Sequence, residues 1–342
     1  MILKNYLTLL VLLIFFTNCQ QKRPHKKTEL SSTLIKIDDR IQLFRVAYNL
    51  AIMDSIDEKF HPCRNEFYSK HYLPYKKFSN HPFVQKIANG DFWNGDLPIL
   101  ALALDKNLKP KKNLDATILK RQFNWYGENL DSVSRMMIDF KKTISFKNNY
   151  NINFKAFKDS IEANKITQKL NDFFRVKKNP NLIIYFDPLN AITSRAINFL
   201  PKADKKRRFV LNNVCEKPDS ITTRNNSLNW NKDTRRIIFH ENSHLYTNNL
   251  LNKYYSKEFD KKLNQEKFDE EYTNIDEIIV RAITAKIIQI NYGEKEGEFE
   301  ISRQPKKSRL VYNYLDNYIS NEKMTFDIVY KEIMNKLEKS YN

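Results

Sequence analysis

Two histidines four residues apart, His240 and His244, with Glu241 directly after the first, are the side chains in this sequence most able to do chemistry together. On a helix, positions i and i+4 share a face, so both imidazoles can grip one metal ion. The carboxylate of Glu241 lies to the side of that face. There it reaches a water at the metal but is poorly placed to replace a histidine. Zinc prefers nitrogen donors of this kind, and a catalytic zinc site takes three protein ligands and keeps one position open. The chemistry this pattern points to is hydrolysis of a peptide bond, with Zn2+ as cofactor and Glu241 as general base.

The third ligand must come from another segment. Downstream, Glu270, Glu271, Asp276 and Glu277 precede an apolar run that includes Ile278, Ile279, Ala282, Ile283 and Ile287. Glu277, at the start of that run, is the preferred ligand. Asp276 comes next, then Glu270 and Glu271. Glu277 can also pair with Arg281 at i+4, and a ligating carboxylate commonly has such a second partner. Tyr246, Tyr272 and Arg281 are within reach as donors to an oxyanion, and spacing does not choose among them.

An H-E-x-x-H helix followed by a glutamate in an E-x-x-x-R-A context, here Glu277, Arg281 and Ala282, resembles the zincin superfamily in its gluzincin branch. More narrowly, it resembles a family of bacterial lipoproteins assigned as zinc peptidases. A weaker likeness extends upstream through Tyr75-Lys76-Lys77-Phe78 with His81-Pro82, and through Tyr185-Phe186-Asp187-Pro188-Leu189, so that it spans roughly residues 40–320. The resemblance implies a membrane-anchored zinc metallopeptidase with metal ligands His240, His244 and Glu277. The thermolysin-like E-x-x-x-D arrangement is absent, because position 281 is arginine, and the partner of the histidines stays unassigned. The alternative is a non-catalytic zincin-like lipoprotein that serves as a binding module in the cell envelope. The intact Glu241 favours the enzyme, since a purely structural zinc site has no use for a base.

These residues need elements to hold them. Asp233 or Thr234 can cap an active-site helix over residues 234–255, with Ile237, Ile238, Leu245 and Leu250 facing a core. Thr273 or Asn274 can cap the third-ligand helix, 274–292. Upstream, residues 182–186 and 208–214 are short β-branched and aromatic runs, predicting a small sheet over 181–214. Residues 207–214 are expected as its edge, where an extended peptide can add as a strand. A charged loop is expected over 293–307 and closing helices over 308–319 and 324–339. The first half, 38–178, reads as a helical subdomain. Its helices are expected over 38–60, 65–78 and 81–89, followed by a long antiparallel pair over 116–144 and 153–175. With residues 179–342 as a zincin-like catalytic region, the fold class is α+β, mostly helical.

The ends point outside the cytoplasm. Residues 1–18 carry Lys4 and then an apolar run over 7–16, which reads as a secretory signal. Cys19 follows as the candidate lipidation site, although Phe16 and Asn18 depart from the commonest lipobox residues. Acylation there would tie the chain to the lipid bilayer of a bacterial membrane, expected to be the outer membrane, facing the periplasm. A basic tether over 19–37 follows, without apolar periodicity. Cys63 and Cys215 are free to pair in an oxidising compartment. The chain holds 58 Lys and Arg against 40 Asp and Glu, a net charge of +18. Dense basic sequence in the folded part is confined to Lys205-Lys206-Arg207-Arg208, with no aromatic-interleaved module, so the expected partner is a peptide or protein substrate and not nucleic acid.

Overall fold

The sequence L-I-I-Y-F-D forms a strand, β2 (Leu182–Asp187), that is buried at all six positions. A continuous apolar run of this kind suits a strand with parallel neighbours and covered faces. β2 pairs in parallel with β1 (Thr33–Lys36) on one side and β4 (Arg207–Asn212) on the other. A three-residue strand, β3 (Arg195–Ile197), runs antiparallel to β4, giving the order β1-β2-β4-β3. The structure, a computed structural model, describes residues 33–56, 61–91, 95, 97–112, 114, 130–147, 150, 152–176, 181–197, 206–213, 230–255 and 275–341. The expected signal, Cys19, Glu270, Glu271, Tyr272 and Cys215 lie outside these residues.

Alternation along the strands divides the interior in two, since successive side chains point to opposite faces. Ile183, Tyr185 and Val210 pack with the N-terminal helices α1 (Asp39–Ile52), α2 (Glu66–His71), α3 (Pro82–Lys86), α4 (Leu97–Ala103) and α5 (Leu130–Thr143). Leu182, Ile184, Phe209 and Leu211 pack with the second set. That set comprises α6 (Lys155–Ala163), α7 (Ile166–Phe174), α8 (Lys232–Tyr254), α9 (Ile275–Tyr292), α10 (Glu294–Ser302), α11 (Lys306–Ser320) and α12 (Phe326–Lys339). The chain is thus mostly helical with a small four-stranded sheet, an α+β architecture. Among the described residues, no helix is long and apolar enough to cross a membrane.

Several expectations are corrected. Residues 33–36, assigned to the tether over 19–37, form β1, and the sheet therefore begins well before residue 181. T-L-I-K is too short to show a period, and its pairing partner lies far along the chain. Helices from both halves pack against the one sheet, and Ser32–Asn342 is one compact unit. The buried pair Arg45 Nε–Asp187 Oδ2 at 2.9 Å ties α1 to the end of β2, and Gln42 Nε2 donates to Asp187 Oδ1 at 2.9 Å. The strand at 207–212 is internal, not the edge; the described sheet ends at β1 and β3.

The helix expected over 153–175 breaks into α6 and α7, with Lys165 at φ 50° in the left-handed region. Phe157, Ile161, Ile166 and Leu170 continue one buried face across the break, which is why periodicity hid it. The expected loop over 293–307 holds α10 instead. Its Gly297 lies so close to α9 that an added Cβ would meet Gln289 Cβ at 2.4 Å. Cys63 is disulfide-bonded, with its Sγ 3.7 Å from the Asn213 carbonyl oxygen.

Candidate metal centre

α8 starts at Lys232, two residues earlier than expected, and is capped by neither Asp233 nor Thr234. Asn231 is its cap, accepting from the Thr234 backbone N–H at 2.8 Å, and this satisfies an otherwise orphaned amide. Ile238 and Phe239 are fully buried, holding the helix against the core. Asn242 and Ser243, buried too, bond within the helix, donating to the carbonyls of Ile238 and Phe239, each at 2.8 Å. The Asn242 amide N–H and the Ser243 hydroxyl are thereby served inside the helix. α9 packs alongside through Ile278, Ile279, Ala282 and Ile283 and presents Asp276 and Glu277 from its first turn.

The two helices bring three donors together. His240 Nε2 and His244 Nε2 are 3.2 Å apart. Glu277 Oε2 is 3.3 Å from His240 Nε2, and Glu277 Oε1 is 3.1 Å from His244 Nε2. Two donors each ~2.05 Å from a tetrahedral zinc ion lie ~3.3 Å from one another. Each histidine nitrogen thus lies at that spacing from the other and from one oxygen of the Glu277 carboxylate, a different oxygen for each ring, and the three residues form a group that could hold a metal ion. Glu277 also stands 3.3 Å from Arg281 Nε, so ligation and the i+4 pair coexist.

Asp276 is not a member of the triangle. It accepts from His244 Nδ1 at 2.6 Å and from Thr247 Oγ1 at 2.8 Å. Consecutive helical residues point about 100° apart, so one acid faces the metal side of the ring and the other the far side. Asp276 thus fixes His244 with its Nε2 edge toward His240 and Glu277, the orienting role usual for carboxylates behind metal-binding histidines. Sequence reasoning ranked Asp276 only as a substitute ligand and missed Thr247; a Thr one turn after the second histidine, with adjacent acids later in the chain, was the available signal.

The electrostatics follow from burial and proximity. For His244, burial disfavours the charged ring, but Asp276 and then Glu277 outweigh it and push its pKa up to about 10. Burial likewise works against the ionised Glu277, yet the hydrogen bonds with His240 and His244 hold it well below the usual carboxylate range. Glu241 is only 7% exposed, and burial raises its pKa against the opposing pull of the histidines and Arg195 on β3. A carboxyl group raised in this way is suited to accept and then return a proton.

The oxyanion candidates separate. Tyr246 points elsewhere: its hydroxyl donates to Asn171 Oδ1 at 3.0 Å and its ring stacks on Phe174 at 3.8 Å. Arg281 lies beside Glu277 and lines the cleft that contains His240.

Removing the orienting carboxylate should weaken the metal site without dismantling it. Asp276→Ala leaves His244 Nδ1–H and Thr247 Oγ1 without their shared acceptor, and zinc affinity is expected to fall by about 10–100-fold. Competition with a chelating dye measures this; an unchanged affinity would show that Asp276 does not govern the ring.

No family model matches the chain, and neither a curated protein nor a solved structure matches it.

Proposed function

We propose that this protein is a zinc-dependent metallopeptidase of the gluzincin type, with His240, His244 and Glu277 as ligands and Glu241 as general base. The observation that carries the reading is the cluster of two imidazoles and one carboxylate, with a buried second carboxyl group in the residue next to one of its histidines. When bound, zinc supplies Lewis acidity and lowers the pKa of water to roughly 7. Glu241 takes the proton of the attacking water and returns it to the leaving amine, so the residue ends each cycle as it began. Asp276 keeps His244 oriented throughout. Strand β3, at the end of the sheet and close enough for Arg195 to act on Glu241, offers backbone groups to an extended peptide. Arg281 is placed as the cationic neighbour of charge that develops at the metal. Peptide cleavage by the zinc-loaded chain, with Glu241→Gln as its control, tests the reading. Zinc binding without cleavage of any peptide would count against it.

We place the chain outside the cytoplasm on the bilayer, through acylated Cys19. The disulfide at Cys63 supports that placement, because such bonds persist in oxidising compartments.

A pH dependence of metal uptake follows from the same geometry. With a ring pKa of about 10, the metal-free site is protonated at neutral pH. Zinc needs the neutral ring, so lower pH opposes binding. Uptake at pH 7 should release about one proton per chain, and apparent affinity should rise about tenfold per pH unit between 7 and 9. Calorimetry in buffers of differing ionisation enthalpy reads the proton count; zero release would contradict the assigned protonation.

A further inference from the structure

A cleft of about 200 Å³ opens beside His240, lined also by Arg236, Arg281, Thr284, Glu300 and Gln304. Arg236 sits one turn before His240 on α8, and Arg281 one turn after Glu277 on α9, so the helix faces that carry the ligands also carry the two guanidiniums. The acid in the cleft, Glu300, is already served: Arg303 donates to its Oε2 at 2.9 Å and Gln304 to its Oε1 at 3.4 Å. Arg236 Nε stays 3.6 Å from Glu300 Oε1 and makes no hydrogen bond among the described residues. Its other acidic neighbour, Asp233 at 4.0 Å, is largely exposed. The carboxylate beside Arg281 is Glu277, whose charge is committed to the metal triangle. Thr284 is 2% exposed, and its hydroxyl has no partner among the described residues. A buried hydroxyl without a partner is costly, and an oxygen acceptor entering the cleft removes that cost. Both guanidiniums are partly exposed, so such a group can reach them.

We infer that this cleft receives a carboxylate of the substrate, so that the protein selects peptides carrying an acidic group next to the bond at the metal. The inference deepens the peptidase reading and rests on it. Arg236 and Arg281 supply charge-assisted donors, and Thr284 supplies a hydroxyl donor at the floor. Two sources of the carboxylate share this chemistry: an Asp or Glu side chain, and the end of a peptide chain.

The test uses zinc-loaded Glu241→Gln protein, which holds peptide without turnover, and fluorescence anisotropy with labelled alanine-rich peptides. One set carries Glu or Gln at each position in turn with an amidated end; another carries a free carboxyl end and no acidic side chain. A carboxylate peptide should bind on the order of tenfold tighter than its neutral counterpart in one register. That preference should fall to near unity in Arg236→Met and in Arg281→Met, each verified to hold one zinc. Preference for the amidated Glu peptides assigns the group to a side chain; preference for the free end assigns it to the chain terminus. Peptides that bind equally well whatever their charge, or a preference that survives both arginine variants, overturn the cleft assignment and leave the peptidase reading intact. Failure of every peptide to bind removes both.

Discussion

Glu241→Gln is expected to cripple peptide hydrolysis and leave zinc bound. The expected loss in kcat is about 10²–10⁴-fold, the range for a positioned general base, or roughly 2.7–5.5 kcal/mol of barrier. The substitution keeps the side chain's size and removes its capacity to take a proton. Glu241 is outside the donor triangle, so the metal should stay. Nor should the fold suffer, since burial already disfavours the charge at this position and an amide carries none. Zinc content and thermal stability measured beside the rate separate these effects. Retained hydrolysis in the Gln variant would remove Glu241 from its role, even with the metal site intact.

His240→Ala should lose zinc and activity together. A structural zinc site binds with about 10–16 kcal/mol over four ligands, so one ligand accounts for roughly a quarter, or about 10²–10³-fold in affinity. The remaining pair, His244 Nε2 and Glu277 Oε1 at 3.1 Å, still forms one edge of the triangle but leaves a third of the donors missing. The imidazole of His240 carries little of the core, because Ile238 and Phe239 make the buried contacts of that turn. The variant should therefore fold, and equilibrium dialysis against zinc reads the loss directly. Wild-type affinity in this variant would mean that the metal sits elsewhere.

The grouping of His240, His244 and Glu277 was legible because much of its spacing is local. His240, Glu241 and His244 lie within one turn, and the acids at 276 and 277 open an apolar run that could only be a packed helix. The role of Asp276 was not legible, since whether an acid touches the metal or the back of a histidine depends on how α8 and α9 cross. Tyr246 was misplaced for the same reason: proximity in sequence to His244 put it within reach, yet the helix turns it toward Phe174 and Asn171. The sheet was read in part. The buried run of β2 declares itself, whereas β1 and β3 have four and three residues and owe their strand character to pairing partners far along the chain. Without them the order of the sheet, and hence its edge, was out of reach. α10 was read as a loop because its acid-rich sequence lacks an apolar stripe; its close packing on α9 depends on Gly297, where sequence suggests a break and the structure uses a missing side chain.

X-ray absorption at the zinc edge, on wild-type protein loaded with stoichiometric zinc, bears most directly on the claim that α8 and α9 share one ion. The account predicts one zinc per chain bound by two imidazole nitrogens and one carboxylate oxygen at ~2.0–2.2 Å. The oxygen contribution should change in a Glu277→Ala variant. A chain that takes up no zinc, or a coordination sphere indifferent to the loss of Glu277, would contradict it.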